Sequence, residues 1–169
     1  VDAGIGNDTV DGGGGNDYID GNDGDDLLIG GTGTGGADDF ILGGAGRDIL
    51  IGDSVSNLPA TTAGADTLSG GANDDLILTG FLVLPSTATL DSIRTIWSST
   101  QSYSARRSQI LDPPASPPGA TALLTPGVQV MADTVVDQVL GDAGQDLFLV
   151  DTALDILIDR VGNESIVDI

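Results

Sequence analysis

The 169-residue chain contains no cysteine and no histidine. Structural zinc sites built on those ligands, thiol chemistry and histidine-based triads are therefore excluded. Lysine is also absent. The five basic residues are all arginine and face 26 acids, giving a net charge of −21. Nucleic acid and anionic membrane are poor partners for such a surface, and a lysine-dependent phosphate loop cannot exist. No apolar run approaches the roughly 20 residues needed to span a bilayer, and no signal peptide is visible. Glutamate is reduced to Glu164 alone, beside 25 aspartates, so the calcium loop that closes on a bidentate glutamate is missing too.

What the chain does have is aspartate and glycine in register. A merely solvated acidic surface would use both acids. Aspartate is shorter, suits turns and reaches an ion held by its own loop, so the acidity is positional and favours Ca²⁺. The clearest copies of the repeat are Gly12-Gly13-Gly14-Gly15-Asn16-Asp17-Tyr18-Ile19-Asp20 and Gly43-Gly44-Ala45-Gly46-Arg47-Asp48-Ile49-Leu50-Ile51. With the aspartate as position six, the register runs through Asp8, Asp17, Asp26, Asp39, Asp48, Asp66 and Asp75, at spacings of 9, 9, 13, 9, 18 and 9. Position eight is Val10, Ile19, Leu28, Ile41, Leu50, Leu68 and Ile77, never a polar residue. That regularity argues against a disordered low-complexity linker. The two long spacings are read as loops around 32–36 and 55–63, the second containing Pro59, which cannot donate to a sheet ladder.

The pattern G-G-x-G-x-D-x-U-x, with U a large apolar residue, resembles the nonapeptide repeat of RTX (hemolysin-type) calcium-binding proteins of secreted bacterial origin. The resemblance is strong over residues 2–81 and looser over 133–159. It implies an all-β fold, a right-handed parallel β-roll (a β-solenoid) formed around Ca²⁺, here with a small α-helical and loop insertion.

Two nonapeptides make one coil, so turns alternate between two edges. One edge stacks Asp8, Asp26, Asp48 and Asp75; the other stacks Asp17, Asp39 and Asp66. Stacked strands lie roughly 4.8 Å apart, so an ion between turns takes an aspartate oxygen from each plus turn carbonyls. The candidate metal residues are these seven aspartates and Asp146, with Gly4, Gly6, Gly13, Gly15, Gly24, Gly44, Gly46 and Gly144 shaping the turns. The regular stretch offers five gaps, and about five to eight ions are expected in all. One aliphatic per nine residues buries roughly 2 kcal/mol per side chain, against about 1–2 kcal/mol per ordered residue, so the roll is expected to fold only with Ca²⁺.

The repeat stops after Leu78, and residues 82–132 have another character. Leu90, Ile93, Ile96 and Trp97 fall at helical spacing within Thr89–Ser99. A second helix is read over Ser102–Leu111, ended by Asp112-Pro113-Pro114, and residues 113–127 read as an irregular loop. Arg94, Arg106 and Arg107 lie in this insert, either against the acidic roll or on a solvated helix face. Trp97 and Tyr103 read as a packing cluster. The spacing Trp97-x-Ser99-x-x-Ser102-Tyr103-x-x-Arg106 resembles an insert near the C-terminal end of large bacterial calcium-repeat proteins. The repeat resumes with Gly141-Asp142-Ala143-Gly144-Gln145-Asp146. Flanking copies at Asp137 and Asp155 lack the glycines and are expected to keep the coil while holding calcium weakly or not at all. Phe148, larger than earlier inward residues, suggests a capping layer. The division is thus a regular roll over 1–81, an insertion over 82–132 in the same domain, and a degenerate roll with a cap over 133–169.

Gly31-x-Gly33-x-x-Gly36 matches a dinucleotide fingerprint but leads back into a repeat instead of a helix, so it is an accident of glycine density. No catalytic constellation is found, and no enzyme activity is expected. The reading is a calcium-binding module that folds outside the cell, part of a secreted or surface fibre, surface layer or matrix protein. The alternatives are a secretion and folding appendage of a toxin or extracellular enzyme, which the family resemblance ties to type I secretion, and an adhesin surface-recognition module. Val1 lies within a repeat, so the chain reads as a piece of a larger secreted protein. Its partners beyond calcium would be copies of itself or the upstream part of its parent, met through open solenoid ends.

Overall fold

A computed structural model describes residues 1–31, 37–53, 63–83, 87–112, 123–124, 130–132, 135–159 and 164–169. The stretch 32–36 with its fingerprint match, residues 54–62, and most of the expected loop at 113–127 lie outside the described residues. The strands are β1 Thr9–Gly13, β2 Tyr18–Asp23, β3 Leu27–Gly31, β4 Phe40–Ala45, β5 Ile49–Asp53, β6 Thr67–Ala72, β7 Leu76–Leu78, β8 Phe81–Leu82, β9 Val130–Met131, β10 Gln138–Ala143, β11 Leu147–Val150, β12 Ile156–Asp159 and β13 Ser165–Asp168. The helices are α1 Thr87–Trp97 and α2 Tyr103–Leu111.

Successive strands alternate between two parallel sheets, ordered β1-β3-β5-β7-β11-β13 and β12-β10-β6-β4-β2. This is a parallel β-roll. Within residues 1–81 the roll strands β1 to β6 run five or six residues and β7 three. The glycine positions that open each new repeat still pair with the neighbouring coil, as at Asn22 opposite Gly44 and Gly44 opposite Gly71. Residues 1–6 extend the second sheet through bridges Asp2–Asp20 and Ile5–Asp23.

Because side chains alternate across a strand, position eight points inward on every rung. Val10, Ile19, Leu28, Ile41, Leu50, Leu68, Ile77, Val139 and Phe148 form one buried column between the sheets. Phe148 does not end it: β13 adds a further rung on β11, and Ile166 packs against the same column.

The inner column is only half of the apolar interior. On the sheet containing β3, β5, β7 and β11, positions seven and nine are also buried: Leu27, Ile29, Ile49, Ile51, Leu76, Leu78, Leu147 and Leu149. Their outward face is covered by Ile93 and Trp97 of α1, Ile110 of α2, and Leu82, Leu124 and Val130. The chain leaves the roll after β7 and is closed at the base by the antiparallel pair β8–β9. β10 then pairs with β6 and β11 with β7, so the coil continues on the rung it left. The first helix starts and ends two residues before the span expected from periodicity; the second is capped by Ser102, whose Oγ accepts the N–H of Ala105 at 3.4 Å.

The outer face of the other sheet carries Tyr18 and Phe40, stacked at 5.5 Å and both exposed, and Ile156 and Ile158, also exposed. Leu50→Ala, in the inner column, is expected to lower unfolding free energy by about 2–5 kcal/mol. Ile158→Ala on the open face should change it by less than about 0.5 kcal/mol. Chemical denaturation of both variants measures the contrast.

Candidate metal centre

Each position-six aspartate sits where a turn enters a strand, and each is tied to the next coil on its own edge. The N–H of Asp8 donates to Asp26 Oδ1 at 2.8 Å, Asp26 N–H to Asp48 Oδ1 at 2.9 Å, Asp48 N–H to Asp75 Oδ1 at 2.8 Å and Asp75 N–H to Asp146 Oδ1 at 2.8 Å. The second edge repeats this through Asp17, Asp39, Asp66 and Asp137, at 2.8, 2.9 and 2.7 Å. The aspartate carbonyls are used as well: Asp26, Asp48 and Asp75 accept the N–H of Ile49, Leu76 and Leu147. The geometry brings all eight candidate aspartates onto two ladders, and it adds Asp137 to the second.

A second ladder runs through position five, which sequence reasoning did not single out. Asn7 Oδ1 accepts from the Asp25 N–H, Asp25 Oδ1 from Arg47, Asp38 Oδ1 from Ala65 and Asp74 Oδ1 from Gln145, at 2.9–3.0 Å. Both ladders follow from short acceptors placed one turn apart at a fixed period.

Oδ1 is thus consumed by backbone, and Oδ2 is not. The Oδ2 atoms of Asp8, Asp17, Asp26, Asp39, Asp48, Asp75 and Asp146 are buried without a hydrogen-bond partner. A buried carboxylate oxygen with no donor is costly. Desolvation accordingly drives Asp48 and Asp146 up from 3.8 to about 7 and Asp75 to about 10, with the neighbouring carboxylates adding to it and the backbone N–H bond opposing it. Asp26 and Asp39 are raised by the same burial.

The glycines explain where these oxygens fit. The first glycine of each repeat lies under the carboxylate of its own coil. A Cβ on Gly21 would stand 2.5 Å from Asp26 Oδ2, and one on Gly43 would stand 2.6 Å from Asp48 Oδ2. Gly12, Gly30, Gly52, Gly70 and Gly141 face Asp17, Asp39, Asp66, Asp75 and Asp146 in the same way. These position-one glycines were missed as site residues, although the repeat spacing marks them. The predicted set divides. Gly24, Gly46 and Gly144 sit where an added Cβ would overlap the carbonyl oxygen of Gly6, Gly24 and Asn73 on the adjacent coil, and Gly44 meets Asn22 likewise. Gly4, Gly6, Gly13 and Gly15 have open space and a positive φ, 102°, 118°, 93° and 97°.

The donor set fits a hard divalent cation: carboxylate and carbonyl oxygens, with no imidazole or thiolate ligand in the chain. Among the described residues no three acidic side chains converge, so an ion in a gap would draw on carboxylates of stacked turns and fill its shell with turn carbonyls. The model of the RTX calcium-binding nonapeptide repeat matches the sequence in 4 copies, over residues 2–35, 34–58 and 60–81. The chain carries RTX calcium-binding repeats. The RTX match ends at residue 81; the rungs from β10 onward lie beyond it and continue the roll by pairing with β6 and β7. No curated protein and no solved structure matches the chain significantly. The matched RTX repeat is a structural calcium-binding unit, not a catalytic one, and among the described residues no helix is long and apolar enough to cross a membrane.

The raised aspartates set a pH dependence for the calcium-free chain. Their folded values of about 7 and about 10 exceed the unfolded 3.8. Protonation therefore stabilises the roll fully below the unfolded value, and that stabilisation is lost as pH rises through the folded values. In chelator, far-UV circular dichroism should show β structure increasing from about pH 8 to about pH 4. With calcium present the trend should reverse, because the ion-holding carboxylates must be ionised. A second expectation concerns Gly43→Ala, whose methyl would overlap the Gly70 carbonyl oxygen of the adjacent coil and stand 2.6 Å from Asp48 Oδ2, pressing the turns apart and the carboxylate out of place. It should weaken calcium binding at that turn by at least about tenfold, a loss of roughly 1.4 kcal/mol by titration calorimetry.

Proposed function

We propose that this RTX chain is a module whose folding is driven by Ca²⁺ outside the cell. The observation that carries the reading is the pair of aspartate ladders: buried Oδ2 has no hydrogen-bond partner at seven positions, and at five of them, Asp26, Asp39, Asp48, Asp75 and Asp146, Oδ1 is spent on backbone. Without a cation the ladders stack like charges in a desolvated strip; with one, repulsion becomes coordination. The predicted aspartates and glycines are proposed as the ion-holding set, together with Asp137 and the position-one glycines. Asp26, Asp39, Asp48 and Asp75 each lie between two coils and would serve the ion on either side.

The folded roll would act as a structural and assembly element of a secreted or surface fibre, surface layer or matrix protein, with no catalytic role. RTX repeat proteins are typically secreted, and extracellular calcium is abundant where cytosolic calcium is scarce, so the chain would leave the cell unfolded and fold outside. Support for assembly comes from the sheet ends. β1 and β13 flank one sheet, and β12 flanks the other, and edge strands offer unpaired backbone groups to a further coil. The outward column Tyr18, Phe40, Thr67, Gln138, Ile156 is chemically uneven, which disfavours recognition of a surface by a regular array.

Circular dichroism during addition of EGTA tests the coupling: β signal should collapse as calcium is removed, and an unchanged signal at low calcium refutes it. Mass spectrometry of the folded protein should count about five to eight ions, and Asp75→Asn should remove about two of them, since Asp75 borders two gaps. Filaments seen by electron microscopy only with calcium would support assembly, and monodisperse particles would oppose it.

A further inference from the structure

The two edges of the roll are not equivalent, and the helical insert makes the difference. Its ties to the turns fall along one edge. Arg94 of α1 donates to Thr9 Oγ1 at 2.6 Å and to the carbonyl oxygens of Asn7 and Asp8, both at 2.9 Å, on the first turn. The Arg47 guanidinium reaches up from the third turn to the Ser99 carbonyl at the end of α1. Arg106 of α2, fully buried, bonds Asp74 on the fourth turn. Tyr103 donates its hydroxyl to the Asp146 carbonyl on the fifth, at 2.9 Å.

These anchors share one body. Arg106 lies 4.7 Å above the Trp97 ring and donates to the Trp97 carbonyl at 3.2 Å, and Trp97 meets Tyr103 edge-on at 6.0 Å. On the tied edge the position-five residues Asp25, Arg47, Asp74 and Gln145 are half-buried and Asn7, on the first turn, is exposed. Those of the other edge, Asn16, Asp38, Ala65 and Val136, are exposed.

An ion wedged between stacked turns leaves only if those turns part or tilt. We propose that the insert is a strap that sorts the calcium ions into two kinetic classes. On the strapped edge, the gaps Asp8/Asp26, Asp26/Asp48, Asp48/Asp75 and Asp75/Asp146 release an ion only when α1 and α2 lift. On the other edge, to which α1 and α2 make no tie among the described residues, the gaps from Asp17 onward exchange with the strap in place. This rests on the reading of the ladders as calcium sites. The strap spans the first turn to the fifth, so it also joins rungs that precede the insert in sequence to rungs that follow it.

Trp97, the single tryptophan, is fully buried at the strap's contact with the roll, which gives the strap its own signal. Calcium-loaded full-length chain, freed of excess ion, is mixed in stopped flow with a fluorescent chelator while Trp97 emission is followed in parallel. Two release phases are expected, the slow one at least about tenfold slower than the fast and carrying about four ions, one for each strapped gap. The Trp97 change should share the slow rate constant and be absent from the fast phase. The double variant R94Q/Y103F, which removes ties at both ends and spares every ladder aspartate, should accelerate the slow phase at least about fivefold with the ion count unchanged. Single-phase release by the unmodified chain, a slow phase unaltered in R94Q/Y103F, or Trp97 following the fast phase would each overturn the strap. A loaded sample that carries no calcium would overturn the ladder reading beneath it. If the double variant does not fold, R94Q alone, at a half-buried side chain, gives the same comparison.

Discussion

Each coil is held to the next by an aspartate that accepts a backbone N–H on Oδ1, and everything else in the roll depends on what becomes of its other oxygen. The first bond fixes the spacing between turns and places the carboxylate inside, over a glycine that leaves room for it. The same placement strips Oδ2 of water. The fold thus generates a row of oxygens that the protein itself does not satisfy, and the response available to an isolated chain is to retain a proton. Burial accordingly lifts Asp75, which has aspartates on both sides in the tied ladder, to about 10. A divalent cation answers the same deficit while leaving the carboxylates charged. On the proposed reading, calcium binding and turn stacking are one interaction seen from two sides.

The second constraint is asymmetry between the sheets. The inner column alone is a single file of side chains, too narrow to define which face of each sheet meets solvent. Large aliphatics at positions seven and nine of β3, β5, β7 and β11 give one sheet a second apolar face, and α1 and α2 cover it. The matching positions of the other sheet include Tyr18, Asp20, Thr67, Ser69 and Gln138, which need no cover. The excursion from β7 to β10 is therefore the third layer of the structure over half its circumference. Arg106 shows how closely it is built in: Asp74 gives one oxygen to the next turn's Gln145 N–H and the other to this guanidinium.

Much of this was legible because the period is strict. A nine-residue spacing fixes which residues point inward and which aspartates share an edge, and the paired strands follow that register from Val10 to Ile77. The two helices were visible from the spacing of the first and from Asp112-Pro113-Pro114 after the second; Ser102, read as the second helix's first residue, is its cap. The covered sheet face was present but hidden. Leu27-Leu28-Ile29, Ile49-Leu50-Ile51, Leu76-Ile77-Leu78 and Leu147-Phe148-Leu149 differ from Tyr18-Ile19-Asp20 and Thr67-Leu68-Ser69 only when repeats are sorted by parity. Position five was not singled out, because Asn7, Asp25 and Asp74 show their role only once the facing N–H of the next coil is in place. Asp137 was discounted for want of glycines, yet its carboxylate accepts the Asp66 N–H as the earlier ones do. What places an aspartate on a ladder is register; the glycines decide how closely the carbonyls approach.

The C-terminal end follows from the same chemistry with a different answer. A ladder that stops must leave its last carboxylate either solvated or satisfied. Asp155 Oδ1 accepts the Asp137 N–H at 3.2 Å, while its Oδ2 accepts the Asp151 N–H at 2.9 Å and the Thr79 hydroxyl at 2.7 Å. Both oxygens are therefore met by protein donors, and two of those donors come from within the roll on either side of the insert. Thr79 stands where the chain leaves β7, buried, with its own N–H on the Leu149 carbonyl. The point of departure and the last rung of the ladder are thereby fastened to each other. At Asp17 and Asp39, the first two rungs of this ladder, Oδ2 is instead buried without a hydrogen-bond partner. The Asp155 rung supplies donors to both oxygens, which lets the solenoid continue into β12 without the glycine turns of the earlier repeats.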